Sequence, residues 1–397
     1  MSWGGRAPRR RIAALAAALA LALAAGCGGD DEGADSTVAA EPQTTEQVIV
    51  EASGGGFNPA QIYERSAPGV VTVVSIFGDS GDILSGGAGQ GSGFIVSEGG
   101  EILTNAHVVA QGGSGNGGGE PKAARQVFVE LADRNRYPAE VVGFDPDSDV
   151  ALIKVQAGGT ELKPLELSQR DNFAVGEPVA AIGSPFGNEN SLAVGVVSAV
   201  SRSIPSLTSR YQVSNAIQVD APINHGNSGG PLLDARGRVI GINAQIRSES
   251  GNAEGVGFAI PINSARRSME QLVANGRVAY AYVGITTQDV TPALARKYEL
   301  GAERGAIIEE TVDDSPAARA GLRGSRRQEV FNGSPVPVGG DMIVSVGGRA
   351  VERADDVSRI VTEHLRPGQV VEVEVLRGGK GEPETVRLRL GERPVDP

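Results

Sequence analysis

The chain contains very little cysteine and histidine. Its 397 residues include one cysteine, Cys27, and three histidines, His107, His225 and His364. A single cysteine cannot close an intrachain disulfide, and protein zinc sites are built mostly from cysteine and histidine. We therefore expect no disulfide framework and no zinc site built from a cysteine cluster or from several histidines. We also expect no other metal and no cofactor.

The chain also lacks an apolar run long enough to span a bilayer near its amino terminus. The run at residues 12–25 has 14 residues, whereas a membrane-spanning helix needs about 20. It follows a group of arginines, which is typical of an export signal over residues 1–26. The segment that ends at Cys27 (LAAGC, 23–27) resembles a bacterial lipobox, whose cysteine carries the lipid. An ordinary secretory signal with an incidental cysteine is the alternative, and both predict export. With the lipobox we expect a protein of the bacterial cell envelope, outside the cytoplasm and anchored to the membrane by a lipid at Cys27.

Positive charge is scarce as well. The chain has 36 Lys and Arg residues against 48 Asp and Glu residues, a formal net charge of −12, which makes nucleic acid a poor partner. Residues 27–56 are rich in Gly, Asp, Glu and Thr and show little apolar periodicity. They predict a disordered linker that reaches roughly 30 Å from a membrane surface.

From residue 57 to residue 262 the pattern is mainly β. Short apolar runs rich in β-branched residues alternate with Gly, Asp, Asn and Pro clusters, which predicts a sandwich or a pair of barrels. The clearest runs are 70–76, 93–96, 127–131, 150–155 and 239–242. Only two helices are expected here, at 106–109 and at 263–275, the second capped by Asn263 and ended by Gly276.

Three polar residues stand out as candidate catalytic groups. Ser228 lies among glycines (GNSGGPL, 226–232), where backbone amides can converge on one point, although such a serine is also common in simple turns. His107 follows a predicted strand among apolar residues, where a structural core histidine is the alternative. Asp149 adjoins the apolar run 150–155, and a carboxylate held there can accept an imidazole N–H.

The chain order His, Asp, Ser is that of the chymotrypsin-like arrangement. His225 is three residues from Ser228 on the same tight loop and is poorly placed to approach its hydroxyl. His364 lies in a predicted second domain. His107 is therefore the candidate general base.

With these residues the sequence resembles the HtrA/Deg family of trypsin-like serine proteases with a carboxy-terminal PDZ domain. The matching segments cover most of residues 60–265: GSGFI (91–95), TNAHVV (104–109), DVALIK (149–154), AIGSPFG (181–187), GNSGGPL (226–232) and GVGFAIP (255–261). The resemblance implies a chymotrypsin-like double six-stranded β-barrel over residues 57–277, with the catalytic triad in the cleft between the barrels.

The resemblance also implies binding roles for further residues. The backbone amides of Gly226 and Ser228 would form the oxyanion hole, and Ile223 and Val256 would line a small apolar S1 pocket. His225 stands where the family commonly has Pro or Arg. It either adds pH sensitivity or is a solvated loop residue without a role.

Residues 278–397 resemble an α+β PDZ domain. The residues Tyr282, Val283, Gly284 and Ile285 look like the loop that binds a peptide carboxylate, after which the peptide adds a strand to the sheet. Val357, on a helix predicted over 354–365, either lines that groove or is an ordinary core residue. Residues 325–339 form an insertion of unknown role.

Two function classes follow. The first is an exported endopeptidase that degrades misfolded proteins and recognises exposed apolar or carboxy-terminal segments. The second is a proteolytically silent peptide-binding chaperone with the same fold. The family resemblance also implies a homotrimer; Phe57 and Tyr63 either meet at the three-fold axis, where a monomer would expose them, or pack on their own barrel.

Overall fold

The computed structural model describes residues 56–78, 87–112, 120–184, 190–224, 226–246 and 256–394. The predicted export signal, the candidate lipidation site Cys27, all of the predicted linker except its last residue, and His225 lie outside these ranges. Within them, no helix is both long enough and apolar enough to cross a membrane.

A short helix precedes the first barrel, in a region where only strands were expected. Helix α1 (Pro59–Ser66) begins after Asn58, whose side chain accepts the Gln61 N–H at 3.1 Å. An Asn cap followed by proline in the first turn is a common helix start, so the sequence carried this signal. The prediction of only two helices in this region was therefore wrong.

The first barrel lies between residues 70 and 155. Its region contains β1 (Val70–Ile76), β2 (Ala88–Ile95), β3 (Glu101–Thr104), α2 (Ala106–Val109), β4 (Ala110–Gln111), β5 (Lys122–Ala123), β6 (Gln126–Glu130), β7 (Arg136–Asp145) and β8 (Val150–Val155). Six strands close in the order β1-β2-β3-β8-β7-β6, while β4 and β5 pair separately. The β-branched runs that predicted β1 and β8 fill the barrel interior, with Val73 and Ile153 fully buried.

The second barrel follows, with β9 (Pro178–Gly183), β10 (Ser191–Pro205), β11 (Gln212–Val219), β12 (Pro231–Leu233), β13 (Val239–Ile246), β14 (Gly257–Pro261) and α3 (Ile262–Asn275). Its strands close in the order β10-β11-β14-β13-β12-β9. The predicted double six-stranded β-barrel is thus confirmed.

Helix α3 ends as predicted but starts differently. Gly276 has φ 68°, a left-handed conformation that glycine adopts without strain, and its N–H bonds the Leu272 carbonyl. The N-cap is Pro261, without a side-chain cap, so the predicted capping role of Asn263 was wrong. The Asn263 amide instead donates hydrogen bonds to Asp171 and to the Arg170 carbonyl.

The remaining residues form the PDZ domain. Its elements are β15 (Ala281–Tyr282), β16 (Ile285–Val290), α4 (Pro292–Tyr298), β17 (Gly305–Thr311), α5 (Pro316–Arg319), β18 (Arg327–Phe331), β19 (Ser334–Val338), β20 (Met342–Val346), β21 (Arg349–Ala350), α6 (Ala354–His364), β22 (Val370–Leu376), β23 (Glu384–Arg389) and β24 (Gly391–Glu392). The main sheet runs β16-β17-β20-β22-β23, so β16 is an end strand. Helix α6 contacts β16 and the sheet behind it.

The insertion at residues 325–339 contains a β-hairpin. Strands β18 and β19 pair in register from Arg327 with Val338 to Phe331 with Ser334. Asn332 and Gly333 at its tip both have positive φ, 51° and 81°, as a two-residue hairpin turn of the Asn-Gly type requires. The sequence signal for this hairpin was present, although we predicted only an insertion.

The two aromatic residues before the first barrel pack on their own chain. Phe57 is only 8% exposed and belongs to an apolar cluster that includes Ile62 and Val70. Tyr63 packs against the same cluster, and its hydroxyl donates to the Asn190 carbonyl at 2.7 Å. These contacts favour the second of the two arrangements considered for these residues, packing on their own barrel, and the half-buried Tyr63 leaves the meeting at a three-fold axis a prediction.

Candidate active site

The structure brings His107 and Asp149 into direct contact. Because β3 pairs with β8, the residues that follow β3 lie beside the residue that precedes β8. The Asp149 carboxylate lies 2.7 Å from His107 Nδ1 through Oδ2 and accepts the His107 backbone N–H through Oδ1 at 2.9 Å. These two bonds fix the imidazole and leave its Nε2 as the nitrogen available for chemistry.

Asp149 has a strained backbone. Its φ is 56°, in the left-handed region, which costs a non-glycine residue about 1–2 kcal/mol. The conformation is held by its own carbonyl, which accepts the Asn105 side-chain amide at 2.9 Å and the Ala106 N–H at 3.1 Å. Strain of this kind persists where the surrounding structure over-determines it, as at functional sites.

The environment of His107 raises its pKa. Burial by itself would lower the pKa, but the negative charge of Asp149 and its hydrogen bond favour the imidazolium and outweigh the burial. About a quarter of the imidazole remains exposed, 23%, whereas the Asp149 side chain is 4% exposed. The pair can therefore accept a proton and stabilise it.

Ser228 lies in the glycine turn, but its hydroxyl has another partner. Ser228 Oγ donates to the Ala244 carbonyl at 2.8 Å. No hydrogen bond joins Ser228 to His107 in the part of the chain that the structure describes. The predicted nucleophile is thus present in a conformation in which its proton is directed away from the predicted base.

The glycines around Ser228 have no space for side chains. A Cβ on Gly229, which has φ 87°, would lie 2.1 Å from the Ser92 carbonyl oxygen and 2.4 Å from Thr104 Oγ1. A Cβ on Gly230 would lie 2.2 Å from the Ile182 carbonyl oxygen. The turn therefore packs directly against the backbone of both barrels, which explains the run of glycine in the sequence.

The two residues predicted to line the S1 pocket belong to different apolar clusters. Ile223 is only 2% exposed and packs with Val219 and Ala221 inside the second barrel. It occupies the space where Gly257 would carry a side chain, since a Cβ there would lie 2.5 Å from Ile223 Cγ1. Val256 is half-buried and packs against a different apolar cluster, which includes Phe94 and Ile260. The described residues do not unite Ile223 and Val256 in one apolar cluster, and their S1 role stays a prediction.

The predicted peptide-binding loop leads from β15 into the end strand β16. Tyr282 pairs with Gly391, and Gly284 has φ 82°. The Val283 carbonyl accepts the Ala317 N–H at 2.9 Å, and the Gly284 carbonyl accepts the Val312 N–H at 3.0 Å. The loop carbonyls are thus bonded within the domain.

Val357 and Ile285 share the apolar core of the PDZ domain. Val357 is 5% exposed within this cluster, and Ile285 packs against it. This burial favours the reading of Val357 as a core residue.

Sequence reasoning missed Ser92, which contacts the nucleophile turn through both its side chain and its backbone. The available signal was a serine between Gly91 and Gly93 in a segment that matches the family. It also missed the Ala244 carbonyl, which no local pattern could have connected with Ser228.

The fold and the Ser-His-Asp set define a trypsin-like protein with a PDZ domain. Residues 91–242 match the family model of the trypsin-like peptidase domain, and residues 281–390 match that of the PDZ domain. The chain is 39% identical over 306 residues to a "Probable periplasmic serine endoprotease DegP-like" of Pseudomonas fulva, covering 77% of this chain and 56% of that protein.

Two further comparisons cover more of the relative. The chain is 36% identical over 332 residues to "Protease Do-like 1, chloroplastic" of Arabidopsis thaliana, covering 83% of this chain and 71% of that protein. The solved structure "HtrA-type protease AlgW with tripeptide" matches with a TM-score of 0.67 and 32% identity over 85% of this chain and 98% of that chain. The chain therefore belongs to the HtrA/Deg family of trypsin-like serine proteases. It spans a little more than half the length of the DegP-like relatives of Pseudomonas and Ectopseudomonas that it matches.

Proposed function

We propose that this chain is an exported serine endopeptidase that cleaves polypeptides by acyl-enzyme chemistry. The observation that carries the proposal is the Asp149 carboxylate, which holds both Nδ1 and the backbone N–H of His107. A neutral core histidine would also need a partner for its ring N–H, but it would not need a buried carboxylate, which stabilises the imidazolium that forms when the ring takes a proton. The family relatives named as serine endoproteases support the same activity.

In the proposed reaction Ser228 is the nucleophile, His107 the general base and Asp149 the residue that orients the imidazole. The Ser228 side chain first rotates away from the Ala244 carbonyl. Its Oγ then attacks the peptide carbonyl carbon while His107 Nε2 takes the hydroxyl proton. The same proton passes to the leaving amine as the C–N bond breaks. In the second half, His107 takes a proton from water, whose oxygen attacks the acyl carbon, and returns the proton to Ser228 Oγ as the ester C–O bond breaks.

The amides of Gly226 and Ser228 would stabilise the oxyanion of the tetrahedral intermediate. We place Ile223 and Val256 beside the P1 side chain, which would have to be small and apolar.

One observation favours the second candidate, a silent peptide-binding chaperone. The bond from Ser228 to Ala244 occupies the hydroxyl that the reaction needs. A protein that kept this conformation permanently would bind peptides without cleaving them.

The two candidates are separated by the Ser228→Ala variant and by a fluorophosphonate probe. Hydrolysis of unfolded casein should fall by about 10⁴-fold or more, by analogy with triad deletions, and probe labelling of the wild type should disappear in the variant. The matched control is Ser75→Ala, which removes a buried hydroxyl without a hydrogen-bond partner among the described residues. A wild-type chain that neither cleaves casein nor takes the label would support the chaperone instead.

We further propose that the PDZ domain recognises exposed apolar or carboxy-terminal segments of unfolded or misfolded proteins. The end strand β16 leaves one side of the sheet for an added peptide strand, and the loop of Tyr282, Val283, Gly284 and Ile285 precedes it. A relative's structure was solved with a tripeptide. A peptide with a free carboxylate should bind in calorimetry, and its amidated form should bind much more weakly; equal binding would contradict the role of the loop.

We keep the boundary between the two domains near residue 277.

For location we propose the bacterial cell envelope outside the cytoplasm, which the periplasmic relatives support. A lipid at Cys27 would anchor the protein to the membrane. Cys27→Ala should then move active protein from the membrane fraction to the soluble fraction, or block maturation, and unchanged membrane retention of processed protein would contradict lipidation.

A homotrimer is proposed on the family resemblance alone, since Phe57 and Tyr63 pack on their own chain. Light scattering on residues 55–397 should give the trimer mass at micromolar concentration, and a monomer would reject the proposal.

A further inference from the structure

Ser92 is a residue of the first barrel that holds the nucleophile turn of the second. It lies in β2 and is fully buried. Its hydroxyl donates to the Gly226 carbonyl at 2.5 Å, and its backbone N–H donates to the Ser228 carbonyl at 2.8 Å. One residue therefore binds both ends of the three-residue turn that carries the proposed nucleophile.

The position of Ser92 is itself fixed by hydrogen bonds. Its Oγ accepts the Ser184 N–H at 2.8 Å, and its carbonyl accepts the Thr104 hydroxyl at 2.6 Å. Ser184 Oγ accepts the Thr72 hydroxyl at 2.7 Å. All of these hydroxyl groups are buried, where a hydrogen bond is strong and an unpaired polar group is costly.

The turn needs such support because the backbone dihedral angles of Gly226 are little restricted by sterics. Gly226 has φ 98° and no side chain, so the Ser92 hydroxyl is the contact that holds its carbonyl. The next carbonyl, of Asn227, accepts the Gly230 N–H at 2.9 Å, which sets the direction of the Ser228 N–H on the other side of that peptide. The Ser92 hydroxyl thus holds the peptide between Gly226 and Asn227, and the Gly230 N–H holds the next peptide, whose N–H is the Ser228 amide.

We propose that Ser92 is a positioning residue for the hydrolytic reaction, acting through the Gly226–Ser228 turn. Its hydroxyl keeps the turn in the conformation in which the amides converge on the oxyanion. This rests on the proposed peptidase function. The effect is exerted on the transition state, where the oxyanion forms, and little on the bound substrate.

A purely structural role makes a different prediction. If Ser92 only satisfied buried polar groups, removing its hydroxyl would lower stability and leave the kinetics of the folded fraction unchanged. The split between kcat and KM therefore decides between the two roles.

The main test is Ser92→Ala in the mature wild-type background, assayed with a chromogenic peptide well below its melting temperature. Removing one oxyanion donor costs about 10²–10³-fold in kcat, so loosening the donors should cost about 10–100-fold in kcat. KM should change less than about threefold, because the oxyanion contacts are much stronger in the transition state than in the bound substrate. Affinity for a peptide boronate, which forms a tetrahedral adduct on Ser228, should fall in parallel with kcat.

The matched control is Thr72→Val, which deletes a buried hydroxyl of the same network at a distance from the turn. It should lower stability similarly but leave kcat within about threefold of the wild type, since the Ser92 to Gly226 bond remains. Ser92→Cys keeps a weak donor of similar size and should recover part of the kcat lost in Ser92→Ala. It also provides the measurement if Ser92→Ala does not fold.

The inference is overturned if Ser92→Ala keeps the kcat of the wild type, if its kcat falls no further than that of Thr72→Val, or if the whole loss lies in KM. It is also overturned if Ser92→Cys, measured in place of an unfolded Ser92→Ala, keeps the wild-type kcat. Each of these results leaves an active wild type and so contradicts only the role of Ser92. An inactive wild type would contradict the proposed function itself.

Discussion

The two halves of the site differ in how they are assembled. The base half, His107 and Asp149, comes from neighbouring segments of one barrel and already has the geometry that proton transfer needs. The nucleophile half, the turn of residues 226–228, lies in the second barrel. Ser92 of the first barrel binds this turn, and the Ser228 hydroxyl donates to the Ala244 carbonyl. If the chain is the proposed peptidase, this difference predicts that its activity depends less on forming the base than on the conformation of the nucleophile.

The two halves also rest on different parts of the molecule. Close to the base half, Asp147 pairs with Arg393 at 3.0 Å, near the end of the PDZ domain. The Arg393 guanidinium lies over the rings of Tyr211 and Tyr280, 4.5 and 4.9 Å from their centres. The turn before Asp149 is therefore held by residues far along the chain, whereas the nucleophile turn is held by the first barrel.

The largest effect is expected from breaking the base half. Asp149→Asn should reduce kcat by about 10⁴-fold, because the amide no longer holds the productive imidazole tautomer or stabilises the imidazolium. Asp147→Asn, which changes a carboxylate on the same turn without touching His107, is the control and should cost less than about tenfold. Steady-state kinetics on a peptide substrate measures both; similar losses in the two variants would contradict the role of Asp149.

The nucleophile half should respond to added volume in the turn. Gly229→Ala should lower kcat/KM by at least about 10²-fold, because the new Cβ meets backbone at 2.1 Å and displaces Ser228. Gly158→Ala is the control, since Gly158 also has positive φ but has no atom within 4 Å of the added Cβ. It carries the cost of the backbone conformation alone, about 1 kcal/mol, and should keep its activity. Equal kinetics in the two variants would show that the contact is harmless.

The support of the base half by Arg393 should appear in stability. Arg393→Ala should lower the free energy of unfolding by about 2 kcal/mol, because it leaves Asp147 half-buried without its cation and removes the stacking on two rings. Burial raises the pKa of Asp147, and Arg393 opposes that rise, so the variant should raise the pKa further. Urea unfolding measures the loss. The unfolding free energy of Arg393→Lys should lie between those of the wild type and Arg393→Ala, because lysine keeps only the charge. An unchanged unfolding midpoint for Arg393→Ala would reject this support.

The smallest expected effect is a shift in the pH at which kcat/KM reaches half its plateau on the acid side. The pKa of His107 is raised above its ordinary value of 6.5, against the effect of burial, by the charge and hydrogen bond of Asp149. The reaction needs neutral His107, so kcat/KM should rise with pH and reach half its plateau above pH 6.5. The stability that protonated His107 gains beside Asp149 depends on pH in the opposite way. It is fully present below pH 6.5 and is lost as pH rises through the raised pKa. A pH profile with its midpoint below 6.5 would contradict the raised value.

Much of the fold could be predicted because its signals are local. The β-branched run at 150–155 became β8 with the predicted bounds, and Gly276 ended α3 because a left-handed residue suits glycine. The α1 start and the Asn332-Gly333 turn were also local signals, and they were overlooked. The predicted cap at Asn263 failed because the helix begins one residue earlier, at Ile262, so that Asn263 lies inside the first turn.

The sequence by itself determined the identity and order of His107, Asp149 and Ser228 and the presence of two β-barrels and a PDZ domain. The order of the three residues and the mainly β pattern are carried by residue type, periodicity and spacing, which are properties of short segments, whereas the two six-stranded barrels and the PDZ domain were implied by the family resemblance. Only the tertiary structure decided that Ser228 bonds Ala244, that Ser92 binds the nucleophile turn and that Arg393 supports the turn before Asp149. The physical reason is that the direction of a hydrogen bond depends on which distant backbone group folding brings within 3 Å, and no local pattern encodes that group.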